Sequence, residues 1–214
     1  MFPKLQYISQ GNTATEQLRN IQEALDAECT WIQLRFKKAD NETVVAVAEK
    51  VKVLCDTYKA TFIVNDHPSI AKAVDADGVH LGLQDMPVAE AREIMGNTKI
   101  IGGTANTFED VAQRYNEGCN YVGAGPFRFT TTKEKLSPVL GAEGYAAIIT
   151  KMEQAGIDIP VFAIGGILPG DIAKILQTGI YGIAVSGVIA HHPDKKQIVH
   201  AINSLIYAKA YDSQ

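Results

Sequence analysis

Two short apolar runs each end in an aspartate: Thr61-Phe62-Ile63-Val64-Asn65-Asp66, then Asp77-Gly78-Val79-His80-Leu81-Gly82-Leu83-Gln84-Asp85. If the runs are consecutive parallel strands, Asp66 and Asp85 bring two carboxylates to one site. A carboxylate pair is the usual protein share of a hard cation such as Mg²⁺, which completes its shell with water and phosphate oxygens. The chemistry to seek elsewhere in the chain is therefore anion binding.

Four segments offer it. In Gln33-Leu34-Arg35-Phe36-Lys37, strand alternation puts Gln33, Arg35 and Lys37 on one side, so that two cations and an amide point together. Gly123-Ala124-Gly125-Pro126-Phe127-Arg128-Phe129-Thr130-Thr131-Thr132-Lys133 opens with glycines, continues with hydroxyls and a lysine, and runs on without clear structure to Pro138 and Gly141. A long loop of that kind is usually a lid or a binding loop, and Thr130, Thr132 and Lys133 are donors for phosphate oxygens. Ala163-Ile164-Gly165-Gly166-Ile167 and Ala184-Val185-Ser186-Gly187-Val188 place glycines where backbone N–H groups can close on an anion. Other candidates carry less. His80 alternates with Val79 and Leu81 and reads as a satisfied structural histidine. His67, His191 and His192 lack the spacing of metal ligands, and Trp31 reads as packing.

The elements that must position these residues repeat. Strands are expected at Lys4–Ile8, Thr30–Leu34, Thr61–Val64, Gly78–His80, Lys99–Gly102, Tyr121–Gly123, Val161–Ile164 and Gly182–Val185, with helical patterns between them. Leu18, Ile21 and Leu25 form one apolar stripe; Val44, Val47, Val51, Leu54 and Tyr58 form another. Asp40 and Asp194 stand where helix N-caps belong. Eight βα alternations predict an α/β chain folded as one (β/α)₈ TIM barrel across residues 1–214, with its site at the C-terminal ends of the strands.

Composition excludes several classes. The 214 residues are 46% hydrophobic and carry a formal charge of -4, with Lys and Arg scattered. No basic stripe marks nucleic acid as a partner, and no amphipathic face marks a membrane. The amino terminus lacks a signal pattern, and no apolar run approaches the roughly 18 residues of a membrane span. Cys29, Cys55 and Cys119 are odd in number and widely spaced, so they read as buried thiols of a reducing, cytoplasmic compartment. Small-molecule substrates are the expected partners, and a homo-oligomer is compatible with the chain.

Taken in order, Gln33 to Lys37, Val64-Asn65-Asp66, Asp77 to Gly82 with Gln84-Asp85, Gly125-Pro126 with Thr130 to Lys133, and Ile164 to Ile167 resemble the thiamine phosphate synthase family, across nearly the whole chain. The resemblance implies condensation of 4-amino-2-methyl-5-hydroxymethylpyrimidine diphosphate with a thiazole phosphate, which releases pyrophosphate and uses Mg²⁺. It implies that Asp66 and Asp85 hold the metal and that Arg35, Lys37, Asn65 and Lys133 bind the diphosphate. Gln33 and Thr104 would then lie at the pyrimidine end, with Thr130, Thr132, Gly165, Val185 and Ser186 at the thiazole phosphate. Arg35, Lys37 and Lys133 are the residues it implies for catalysis.

The chain departs from the family pattern at Asn106, where many members have His, and at Phe129, where Pro is common. Two alternatives stand beside the synthase. One is a thiazole tautomerase, a sister barrel that relies on a His as proton carrier, and the other is a silent paralogue that binds thiazole or thiamine phosphate and regulates a partner. Asn106 weighs against the first, and the intact set of Asp66, Asp85, Arg35 and Lys133 against the second.

Overall fold

Each short apolar run becomes a strand because both of its faces find cover. The computed structural model describes residues 1–129 and 138–208. The strands are β1 (Leu5–Ile8), β2 (Trp31–Leu34), β3 (Thr61–Asn65), β4 (Gly78–Leu81), β5 (Ile100–Ala105), β6 (Tyr121–Ala124), β7 (Val161–Ile164) and β8 (Gly182–Val185). They pair in parallel in chain order, and β8 closes on β1. The helices α1 (Ala14–Asp26), α2 (Asn41–Tyr58), α3 (Pro68–Ala73), α4 (Val88–Met95), α5 (Phe108–Asn116), α6 (Gly141–Ala155), α7 (Ile172–Gln177), α8 (Gly187–Ala190) and α9 (Lys195–Tyr207) alternate with them. This is the expected (β/α)₈ barrel, and the eight predicted strands lie within one to three residues of their observed ends. No helix among the described residues is long and apolar enough to cross a membrane.

The caps work as read. The Asp40 carboxylate accepts the Thr43 N–H at 2.8 Å and the Asp194 carboxylate that of Gln197 at 2.9 Å. Each such cap stabilises its helix by about 1 kcal/mol. The stripe of α2 needs correcting at its end: after Val44, Val47 and Val51 the next buried residue is Cys55, while Tyr58 is 38% exposed. A helical turn of 3.6 residues carries the buried face from Val51 to Cys55, and Tyr58 instead offers its hydroxyl to the Asp26 carboxylate of α1. The three thiols are buried as expected, and burial pushes Cys29 and Cys55 up to about 12 and Cys119 to about 11.

The pleat sorts the strand residues into two cores. Outward residues such as Ile32, Leu34, Phe62, Val64, Val79 and Leu81 pack beneath the helices. Inward Trp31, Ile63, Tyr121 and Phe162 form a separate cluster inside the barrel, with Phe2, Ile100 and Tyr181 packed against it. Trp31 meets Tyr121 and Phe162 edge-on, each at 4.9 Å between ring centres, and Phe2 stacks on it from below at 5.1 Å. Such aromatic contacts add about 1 kcal/mol each beyond the area they bury. Above this floor the inward positions turn polar: Gln6, Gln33, Asn65, His80 and Thr104 are all buried.

Gly102 makes the floor possible. A Cβ there would lie 2.2 Å from Cζ and 2.5 Å from the hydroxyl oxygen of Tyr121, whose ring has no free space to retreat into. Gly102→Ala is expected to destabilise the barrel by roughly 1–3 kcal/mol, the ordinary cost of overpacking. Urea unfolding measures this against Gly170→Ala, where nothing lies within 4 Å of the added methyl and the change should stay within about 0.5 kcal/mol.

Candidate active site

At the end of β3 the backbone turns into the left-handed region at Asp66, φ 67°, where its N–H donates to the His80 carbonyl at 2.9 Å. The turn aims Asp66 at Asp85, whose Oδ2 accepts the Gly82 N–H at 2.6 Å. Lys37 Nζ lies 2.9 Å from Asp66 Oδ2. Asn65, Asp66, His67, Asp85 and Lys37 line one cavity of about 330 Å³. Burial and the facing Asp85 carboxylate raise the Asp66 carboxyl above its ordinary range, and Lys37 opposes the rise only in part. Two close carboxylates at such a cost suit a divalent cation. Among the described residues no third His, Cys, Asp or Glu joins them, so other ligands to Mg²⁺ would be water and phosphate oxygens, which is its usual habit.

Behind the pair, Gln33 donates through Nε2 to Asn65 Oδ1 at 2.7 Å. Asn65 keeps its own amide donor for the cavity, and Gln33 Oε1 is a buried acceptor with no partner.

A second cavity, of about 240 Å³, opens between the ends of β7, β8 and β1. Its walls combine aliphatic Ile8, Ile164 and Val188 with Gly165, Gly166, Val185, Ser186 and Arg35. Gly165 and Gly166 both take positive φ, 89° and 72°, and a Cβ on either would strike Pro126 or Arg128. Arg128 fixes this loop through a carbonyl bond to Gly166 at 3.0 Å and a two-pronged pair to Asp171, 2.9 Å on each arm.

Gln33, Arg35 and Lys37 reach different parts of the barrel mouth. Strand β2 ends at Leu34, so alternation stops governing there. Gln33 points into the barrel, Arg35 borders the β7–β8 cavity and Lys37 joins the aspartates. Two side chains with no mark in the sequence, Ser9 and Gln17, hold Arg35 in place of a ladder. Its N–H donates to Ser9 Oγ at 2.9 Å and its carbonyl accepts from Gln17 Nε2 at 3.2 Å. Thr130, Thr132 and Lys133 lie outside the described residues.

Thr104, near the end of β5, is gripped at both of its oxygens. Its hydroxyl meets His80 Nε2 at 3.0 Å, and its carbonyl accepts from Arg114 Nε at 3.3 Å. Arg114 is a buried guanidinium that also binds the Gly82 carbonyl at 2.9 Å and Glu117 at 2.8 Å, so one side chain ties the ends of β4 and β5 together. His80 is the satisfied histidine that was expected, with Nδ1 3.1 Å from the Tyr121 hydroxyl. Asn106 donates its amide to the Gly125 carbonyl.

With this geometry in view, the comparisons with known proteins agree. The sequence model of a family described as thiamine monophosphate synthase matches residues 5–189. A thiamine-phosphate synthase of Flavobacterium johnsoniae is 55% identical over 208 residues, covering 97% of this chain and 98% of that protein. Another, of Flavobacterium psychrophilum, is 57% identical over 203 residues, covering 95% and 98%. A solved structure of thiamine phosphate pyrophosphorylase from Pyrococcus furiosus superposes with a TM-score of 0.84 at 32% identity, covering 96% of each chain.

A raised Asp66 pKa has a testable cost. The folded chain holds that proton more tightly than the unfolded chain, so the stability it contributes is full below the ordinary value of 3.8 and is lost as pH rises through the raised folded value. Without metal, Asp66→Asn should therefore melt above the parent at neutral pH, and the gain should vanish in acid. Calorimetry in chelator across that range reads it; an Asp66→Asn protein that melts below the parent at neutral pH would contradict the account.

Proposed function

The chain belongs to the thiamine monophosphate synthase family, and on that premise we propose that it joins 4-amino-2-methyl-5-hydroxymethylpyrimidine diphosphate to a thiazole phosphate, carboxylated or not, by a dissociative route. The observation that carries this reading is the pair of cavities at one barrel mouth. One has two carboxylates, a lysine and an amide donor; the other has left-handed glycines, an arginine and aliphatic walls.

Asp66 and Asp85 are the residues to hold Mg²⁺, which when bound supplies positive charge to the departing diphosphate. Lys37 and the amide of Asn65 take diphosphate oxygens beside them. Arg35 answers the same charge from the wall of the other cavity, and Lys133 completes the cationic set. Gln33 Oε1 accepts from the pyrimidine's amino group, which favours electron release into the ring. The C–O bond then breaks with its electron pair leaving on pyrophosphate, and the methylene carbon is left cationic. The thiazole nitrogen supplies the pair for the new C–N bond. The backbone of Gly165, Val185 and Ser186, with Thr130 and Thr132, grips the thiazole phosphate and so fixes that nitrogen in line. No protein nucleophile is required, and the work is placing charge around a developing anion.

Asn106 counts against the tautomerase reading: an amide exchanges no proton near neutral pH, and this one is committed to the Gly125 carbonyl. Buried thiols at Cys29, Cys55 and Cys119 support a reducing cytoplasm as the place of work.

The test incubates the protein with both substrates and Mg²⁺ and follows thiamine phosphate by mass spectrometry and pyrophosphate by release assay. Equal amounts of both products, lost in the Asp66→Ala, Asp85→Ala double variant, are expected. Binding of thiazole phosphate with no product would overturn the reading. Arg35→Ala and Lys133→Ala should each lower kcat/KM by about 10²-fold to 10³-fold, the usual loss of one charge-stabilising group, with little change in melting temperature. Parallel losses of rate and stability would remove those residues from the catalytic set.

A further inference from the structure

Four side chains from four strands run in series beneath the barrel mouth. Gln6 Nε2 donates to the Tyr121 hydroxyl at 3.3 Å, that hydroxyl lies 3.1 Å from His80 Nδ1, and His80 Nε2 lies 3.0 Å from Thr104 Oγ1. All four are buried, Tyr121 completely. A phenol has one proton to give. The Tyr121 oxygen accepts from Gln6, and its buried proton meets one acceptor among the described residues, His80 Nδ1; the neutral imidazole then carries its proton on Nε2. That N–H donates to Thr104 Oγ1, so the Thr104 proton is not spent on the histidine. Thr104 Oγ1 donates to no other group among the described residues. Thr104 shares the inward parity of His80, through Gly102, and stands one step nearer the mouth.

We propose that His80 is a positioning residue whose tautomer, set by Tyr121 and Gln6, makes Thr104 a hydrogen-bond donor toward the pyrimidine diphosphate. The proposal rests on the reading above that Thr104 contacts this substrate, and it adds the polarity of the contact. A hydroxyl that receives the imidazole N–H keeps its own proton to give to an acceptor, a ring nitrogen or a phosphate oxygen, whereas one that donates to the histidine can only accept. Gln33 on the far side of the barrel has the opposite polarity, with a buried unpaired acceptor at Oε1. The substrate is thereby offered an acceptor at Gln33 and a donor at Thr104, and a substrate turned end for end would meet a mismatch at Gln33.

Reversing the chain is chemically simple, which makes the assignment testable. If Gln6 presented its oxygen instead, each proton would move one place, and Thr104 would donate to His80 and offer the substrate only lone pairs. ¹⁵N NMR of the ligand-free protein, labelled at histidine and assigned with His80→Gln, shows which ring nitrogen bears the proton without any reference to activity. The expected result is Nε2–H in the parent and loss of that fixed tautomer in Tyr121→Phe. In kinetics, Tyr121→Phe and His80→Ala should lower kcat/KM for the pyrimidine diphosphate by about ten-fold, the worth of one oriented hydrogen bond, with KM for thiazole phosphate unchanged. His80→Gln, whose amide can restore a donor near the Nε2 position, should recover part of the loss. A proton found on Nδ1 in the parent overturns the chain. Nε2–H together with unchanged kinetics in Thr104→Val overturns its role toward substrate, while thiamine phosphate formation by the parent decides the underlying activity separately.

Discussion

The closed register of the eight strands is the constraint on which everything else rests. Inward residues face inward residues around the ring: Ile8 opposite Gln33, Gln33 opposite Ile63, Asn65 opposite His80, His80 opposite Gly102, Gly102 opposite Tyr121, Thr104 opposite Gly123. In a closed parallel sheet a slip of one residue at any pair would turn a whole strand inside out, putting Trp31 beneath the helices and Ile32 inside the barrel. Parity therefore separates the apolar packing under the helices from the contents of the barrel. Height then separates the aromatic floor from the polar layer above it, and that layer is what the site has to work with.

So few inward slots force neighbours to share them, and two adjacent glycines show how. Gly102 points inward and leaves its space to the Tyr121 ring; Gly103 points outward and leaves its space to Arg114, where a Cβ would lie 2.6 Å from the arginine Cδ. The two admitted side chains converge on Thr104 from opposite faces of β5, Tyr121 through His80 to the hydroxyl and Arg114 directly to the carbonyl. Arg114 reaches on to the Gly82 carbonyl, and the N–H of the same Gly82 steadies Asp85. Thr104 and the Asp85 carboxylate thus lean on one buried guanidinium. Removing it would leave the carbonyls of buried Thr104 and of Gly82 without that partner, which costs most at the buried one.

Legibility in the sequence followed the range of the interactions. Strand periodicity, caps at Asp40 and Asp194 and the burial of the three cysteines are local or compositional, and these features were read from the chain alone. The partners of His80 stand 41 and 24 residues away, so spacing could name it a satisfied residue but not say by what. Arg35 and Lys37 lie beyond the end of β2 at Leu34, where alternation no longer governs, and the long-range contacts of Arg35 with Ser9 and Gln17 carry no local signal. The bond between Arg128 and Asp171 spans 43 residues and had no sequence signal either. The family resemblance proposes end points for the site but says nothing of the side chains that support them.

The aspartate end of the site is arranged against the stability of the free protein. Asp66 adopts a left-handed backbone that costs an L-residue roughly 1 kcal/mol, and it does so to bring a partly buried carboxylate against another one. Lys37 offsets the repulsion, but its ammonium is half exposed and its hold is correspondingly weak. A packing optimum would have turned Asp66 outward. Its inward turn leaves an excess of negative charge that a phosphorylated ligand alone would make worse, since more anion would enter beside it. A divalent cation arriving with the ligand would reverse the sign of that interaction. The same geometry that weakens the free barrel would therefore favour a metal-bound diphosphate, the ligand proposed for this end, over a bare one, and Lys37 would lessen that preference by holding the site partly neutral.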